Sequence, residues 1–257
     1  MLNWKHLFLP LVLACTACGP QKSNRNTASS GKGDPSQLNA NLCAEYIKRN
    51  LLQVALQKCE RSLKQNRGNA SAHKWKAILH QRLGQDKLAA RHFQRAVDLA
   101  PNDSGSHNNY GAFLCRQKRF QQAEQQFLKA INNPLYRARH IAYTNAGLCM
   151  ISAGDKRKAE YYFRKTLRLA PLFGPALINM ARLSHDNNKC ISALGFMRRW
   201  AKKNRWSSEN LWLAVKIEKK CGNSNKLASL GLLLKARFPT SPAAMKYKQW
   251  SRGQSSW

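Results

Sequence analysis

From about residue 36 onward, small and apolar positions recur with a long period. The marker is Ala-x-x-x-Phe, at Ala89 and Phe93, Ala123 and Phe127, and Ala159 and Phe163, with steps of 34 and then 36 residues. One period earlier stand Ala55 and Cys59, and one period later Ala193 and Met197. A small residue precedes each alanine by twelve positions: Cys43, Ala77, Gly111, Gly147 and Ala181. The pattern predicts two antiparallel helices per unit, in frames beginning near residues 36, 70, 104, 140, 174 and 208. Small residues on both helices let the backbones approach, and the aromatic fills the gap beside them. Gly84 and Gly154 fall at the turn between paired helices, and Leu-Ala-Pro closes two units at Leu99–Pro101 and Leu169–Pro171. Two extra residues in the Pro134–Arg139 connection account for the longer step. In the last unit Ala228 and Leu232 fall one residue late, as expected of a degraded end unit that caps the stack.

A period near 34 with this small–small–aromatic pattern resembles the tetratricopeptide repeat. The alternative is a helical bundle with an accidental period. The resemblance implies an all-α, right-handed superhelix of about six helix pairs, spanning residues 38–250. In such stacks the first helix of each unit lines a concave wall. Its sixth position carries Asn109, Asn145 and Asn179, a ladder of amides able to bind the backbone of an extended peptide. The candidate groove residues are Lys74, Asn108, Asn109, Ala112, Thr144, Asn145, Leu148, Asn179 and Arg182. The competing reading has each asparagine bonding within its own repeat. A carboxylate clamp of the chaperone-binding kind is not expected, because Ile78 and Ile141 replace two of its polar residues.

Residues 1–18 read as an export signal: Lys5, then the apolar run Leu7–Ala14, then small residues. Eight apolar residues are too few to span a bilayer, which takes about 20. Val12-Leu13-Ala14-Cys15 resembles a lipobox, which implies acylation of Cys15; Cys18 is the alternative. Neither cysteine is followed by Asp, and the resemblance therefore implies delivery to the outer membrane, lipid-anchored and facing the periplasm. Residues 19–37, rich in Ser, Asn, Gly and Lys, read as a flexible tether.

Charge widens the choice of partner. Lys and Arg number 44 against 12 Asp and Glu, a net +32, which favours anionic partners. The hydrophobic share of 43% is enough for a real core. Clusters such as Lys156-Arg157-Lys158, Arg198-Arg199 and Lys202-Lys203 read as solvated faces. An exported chain retains disulfides. Cys43 and Cys59 face each other across the first unit and are candidates for a bridge or for buried thiols. Cys190 and Cys221 are a further candidate pair, and Cys115 and Cys149 lie on neighbouring first helices. No metal site, cofactor or catalytic set is expected. The seven histidines show no His-Glu-x-x-His, and the twelve acids form no evident pair. His73 and His107 share one repeat position and read as structural.

Units three and four carry the most detail. Asn108-Asn109-Tyr110-Gly111-Ala112-Phe113-Leu114, Gln117-Lys118-Arg119-Phe120, Pro134-Leu135-Tyr136 and Asn145-Ala146-Gly147-Leu148 together resemble the PilF/PilW family of type IV pilus biogenesis lipoproteins. The resemblance covers roughly residues 38–245 and is strongest over 104–171. It implies a pilotin: a non-enzymatic scaffold that binds outer-membrane secretin subunits and promotes their localisation and multimerisation. The alternative is a general envelope adaptor that binds cell-wall polymer or wall enzymes through its basic surface. Export argues against nucleic acid as a partner.

Overall fold

The computed structural model describes residues 34–253 apart from Asn223. Among them are thirteen helices and no strand. Six antiparallel pairs follow the predicted frames: α1 (Pro35–Lys48) with α2 (Leu52–Gln65), α3 (Ala70–Arg82) with α4 (Asp86–Leu99), and α5 (Ser104–Arg116) with α6 (Phe120–Ile131). Then come α7 (Arg139–Ser152) with α8 (Lys156–Leu169), α9 (Gly174–Asp186) with α10 (Cys190–Ala201), and α11 (Ser208–Cys221) with α12 (Ser224–Arg237). A single helix, α13 (Pro242–Ser251), covers the end of the stack.

Local chemistry sets the boundaries. Asp34, Asn69, Asp103, Asp155, Ser207 and Ser241 each accept a backbone N–H of the first turn that follows them. The first helix begins inside the expected tether, because Asp34 caps it and Pro35 opens it. Ser36 is buried, and its carbonyl accepts the Ser62 hydroxyl at 2.7 Å. The turn within each pair places one residue in the left-handed region: Asn50, Gly84, Lys118, Gly154, Asn188 and Gly222. At Lys118 the side chain carries a cost of roughly 1–2 kcal/mol that glycine avoids.

The marker residues are the core. All five small residues, all five alanines and Phe93, Phe127 and Phe163 are buried. Gly111 and Gly147 press so closely on the rings that a Cβ would lie 2.8 Å from Phe127 or 2.7 Å from Phe163. The last unit departs from the sequence reading. Ala228 and Leu232 are exposed; Gly231 and Leu234 are the buried positions of α12. Gly231 occupies the aromatic place one period after Met197, and the Tyr247 ring of α13 packs against it. The aromatic that a unit ordinarily supplies from its own second helix comes here from α13.

Disulfides join Cys43 to Cys59, Cys115 to Cys149 and Cys190 to Cys221, with Cα–Cα distances of 5.3, 5.7 and 5.5 Å. The first closes one unit; the other two tie neighbouring units. In three of the five steps the first helices of successive units pack directly on one another, α1 on α3, α5 on α7 and α9 on α11. No two second helices of successive units pack to a comparable extent. The stack therefore closes on the first-helix side, and this side forms the concave wall of a superhelix.

Candidate partner-binding groove

Counted from the frame starts at 36, 70, 104, 140, 174 and 208, residues two, six and nine of each first helix point into the concavity, because 3.6 residues per turn brings them to one face. In α5 and α7 these include Asn109, Ala112, Ile141, Asn145 and Leu148. Ile141 and Leu148 are 39% and 40% exposed, and Asn109, Ala112 and Asn145 are half-buried. The middle of the wall is thus an uncharged strip of amides and aliphatic groups open to solvent.

The ladder is tied into the wall more than its spacing suggested. Asn145 Nδ2 donates to Asn108 Oδ1 of the preceding unit at 3.0 Å. Asn179 Nδ2 donates to the Pro175 carbonyl of its own helix at 2.8 Å. Asn109 makes no side-chain hydrogen bond among the described residues. Each amide has two N–H groups and a carbonyl, so all three retain capacity toward a bound backbone.

Three candidate groove residues are taken up by packing instead, Asn108 and Lys74 between units and Thr144 within its own. Asn108 is buried and serves as the acceptor for Asn145. Thr144 is buried, donates to the His140 carbonyl at 2.8 Å and lies 3.1 Å from the Thr166 hydroxyl. Lys74 reaches Asp103, the cap of α5, at 3.1 Å. Burial disfavours the Asp103 carboxylate, but the Ser106 hydroxyl, Lys74 and the Gly105 N–H outweigh it and hold its pKa below the ordinary value. Lys74 is therefore an inter-unit tie. The histidines that share a repeat position also act locally. His73 bonds the Arg67 carbonyl and His92; His107 bonds the Pro101 carbonyl and Gln126. Both fasten the loop before a unit to that unit's second helix.

The ninth position changes character along the wall, from Ala112 and Leu148 to Arg182 and Lys216. Beyond them α13 forms a side wall, and a cleft of about 420 Å³ opens between α9, α11 and α13. Sequence reading reached Arg182 but missed Lys216, although it holds the same repeat position. Lys246 and Pro242, also in this cleft, belong to a helix outside the repeat and had no such signal.

Comparison with known proteins agrees with this architecture. A tetratricopeptide-repeat model matches residues 92–125. The type IV pilus assembly protein PilF of Pseudomonas aeruginosa is 27% identical over 227 residues, 88% of this chain and 89% of that one. A solved structure of that PilF superposes with a TM-score of 0.77 over 84% of this chain and 97% of the other. The crystal structure of PilW, a widely conserved type IV pilus biogenesis factor, does so at 0.76 and 28% identity, covering 84% and 99%. An uncharacterised protein of Haemophilus influenzae is 30% identical over 161 residues, 63% of this chain and 84% of its own. The chain belongs to the PilF/PilW family, the tetratricopeptide-repeat proteins of type IV pilus biogenesis. A scaffold of this family works by protein–protein interaction, and the concave wall is the surface its fold provides. Among the described residues no group of histidines, cysteines and acids could hold a metal, and no helix is long and apolar enough to cross a membrane. Cys15 and Cys18 lie outside the described residues.

Proposed function

We propose that the protein is a pilotin: an outer-membrane lipoprotein, anchored through acylated Cys15 or Cys18, that receives a segment of a secretin subunit in its groove and promotes secretin multimerisation. The observation that carries this reading is the uncharged strip of half-buried Asn109, Ala112 and Asn145 and exposed Ile141 and Leu148 along the inner wall of a PilF/PilW-type stack. Amides hold a backbone irrespective of its side chains, while the aliphatic groups favour an apolar segment.

Deleting the gene and blotting outer-membrane fractions for heat-resistant secretin multimers tests the proposal. The multimers disappear if the protein is a pilotin; unchanged multimers reject it. Asn109→Ala with Asn145→Ala should lower the multimer yield severalfold while the protein still folds, and normal yield would remove the amides from the mechanism. A fatty-acid analogue should label the wild type, and whichever of Cys15→Ser and Cys18→Ser loses the label identifies the anchor. The second reading, an envelope adaptor for cell-wall polymer or wall enzymes, draws on the net charge of +32, which favours anionic partners.

A further inference from the structure

The cleft at the far end of the wall differs from the strip. Arg182 of α9, Lys216 of α11 and Lys246 of α13 converge on it, beside Trp212 and Leu213. Among the described residues, none of these three cations has a carboxylate within 4 Å. The two acids in the lining bond their neighbours in sequence, Asp186 with His185 at 3.2 Å and Glu209 as acceptor of the Ser208 hydroxyl at 2.8 Å. Lys216 is half-buried; its burial and the Arg182 charge push its pKa below the ordinary value, Asp186 opposes this, and Lys246 adds to it. Crowded, unpaired cations, of which Lys216 is half-buried and Arg182 and Lys246 are exposed, are stabilised by an incoming anion.

Lys216 also lines a second cleft of about 340 Å³ with His185, Lys219 and Lys220, so the positive surface continues past the first.

We infer that this cleft takes an acidic side chain or chain terminus of the partner segment whose apolar portion lies along the Asn109–Leu148 strip. The inference rests on the proposed use of the groove and adds the chemistry at one end of it. Asp186 and Glu209 flank the cations and repel a dense polyanion such as an anionic bilayer or nucleic acid, yet leave room for one or two carboxylates. Leu213 and Ala243 supply apolar contact for the aliphatic part of such a residue. The cleft also sits on the same inner face as the strip, at the repeat position of Ala112 and Leu148.

The test uses the purified full-length protein and a short fluorescein-labelled peptide of leucine and serine ending in glutamates, followed by fluorescence anisotropy. The glutamate peptide should bind, and the same peptide ending in glutamines with its C-terminus amidated, so that no carboxylate remains, should bind about tenfold more weakly. Arg182→Gln with Lys216→Gln should weaken the glutamate peptide to the same extent, while Lys156→Gln with Arg157→Gln, an equal loss of charge on α8, should not. Lys246→Gln, on a different helix, keeps the test valid if circular dichroism shows the double variant unfolded. Four results overturn the inference: no binding of the glutamate peptide, equal binding of the glutamine peptide, equal weakening by the α8 pair, or phosphatidylglycerol vesicles captured through Arg182 and Lys216 while peptide binding survives. Secretin multimers lost on gene deletion, with no peptide bound, would reject the cleft and keep the pilotin reading. Peptide bound with multimers unchanged would do the reverse.

Discussion

Gly147 and Gly154 lie in the same unit and are glycine for different reasons. Gly147 is helical, and its missing Cβ leaves room for the Phe163 ring. Gly154 has φ of 82°, with nothing within 4 Å of where a Cβ would sit. Gly154→Ala therefore carries a backbone cost alone, about 1 kcal/mol. Gly147→Leu forces a side chain into a filled core and should cost on the order of 3 kcal/mol. Urea unfolding of both variants checks the order; a larger loss for Gly154→Ala would contradict the packing. A second residue-scale prediction concerns His92, whose pKa falls from 6.5 to about 4 because burial disfavours its charge, with His73, Lys76 and His80 adding repulsion. The unfolded chain takes up this proton near pH 6.5 and the folded protein near pH 4. Stability from this group is complete above the upper value and is lost as pH falls toward the lower one. His92→Gln installs the residue that unit three already uses at Gln126, so the fall in urea midpoint between pH 7.5 and 5 should shrink. An unchanged fall would show that His92 is not the group responsible.

At the scale of elements, the first unit lacks the aromatic that wedges units two to four and has the Cys43–Cys59 bridge in its place. The closed loop, with a sequence separation of 16, gives about 3 kcal/mol by restricting the unfolded chain. Cys43→Ala with Cys59→Ala should lower the thermal midpoint of the purified protein by several degrees. An unaltered midpoint would mean that α1 and α2 are held by packing alone. The other end is closed by Tyr247 of α13 against Gly231. The twelve paired helices were legible in the sequence because close approach of two backbones restricts residue size at fixed spacing, and Ala, Gly and Phe record that restriction. The cap was not, since α13 has no counterpart one period away and the meaning of Gly231 depends on a tyrosine from another helix. The site was legible in part for a similar reason. Periodicity separates the groove-facing Asn109 from its neighbour Asn108 by a single position, and only packing shows that Asn108 turns inward and holds Asn145. Lys74 likewise reads as a groove lysine until the cap of the following unit comes within 3.1 Å.

For the whole molecule, the wall joins an uncharged middle to a cationic end, while basic clusters such as Lys156-Arg157-Lys158 lie exposed on second helices. Lys158 meets Glu124 of the preceding unit at 2.8 Å, so part of this outer charge serves the stack. The net field speeds encounter with any anionic surface, whereas specificity depends on what fits the inner wall. The central claim is that a secretin segment lies against the first helices. In-cell photo-cross-linking tests it most directly, with the cross-linking amino acid placed at Leu148 on α7 or at Arg164 on α8. The account predicts a secretin adduct from Leu148 and none from Arg164. An adduct from Arg164 alone, or no secretin adduct from either position, would contradict it.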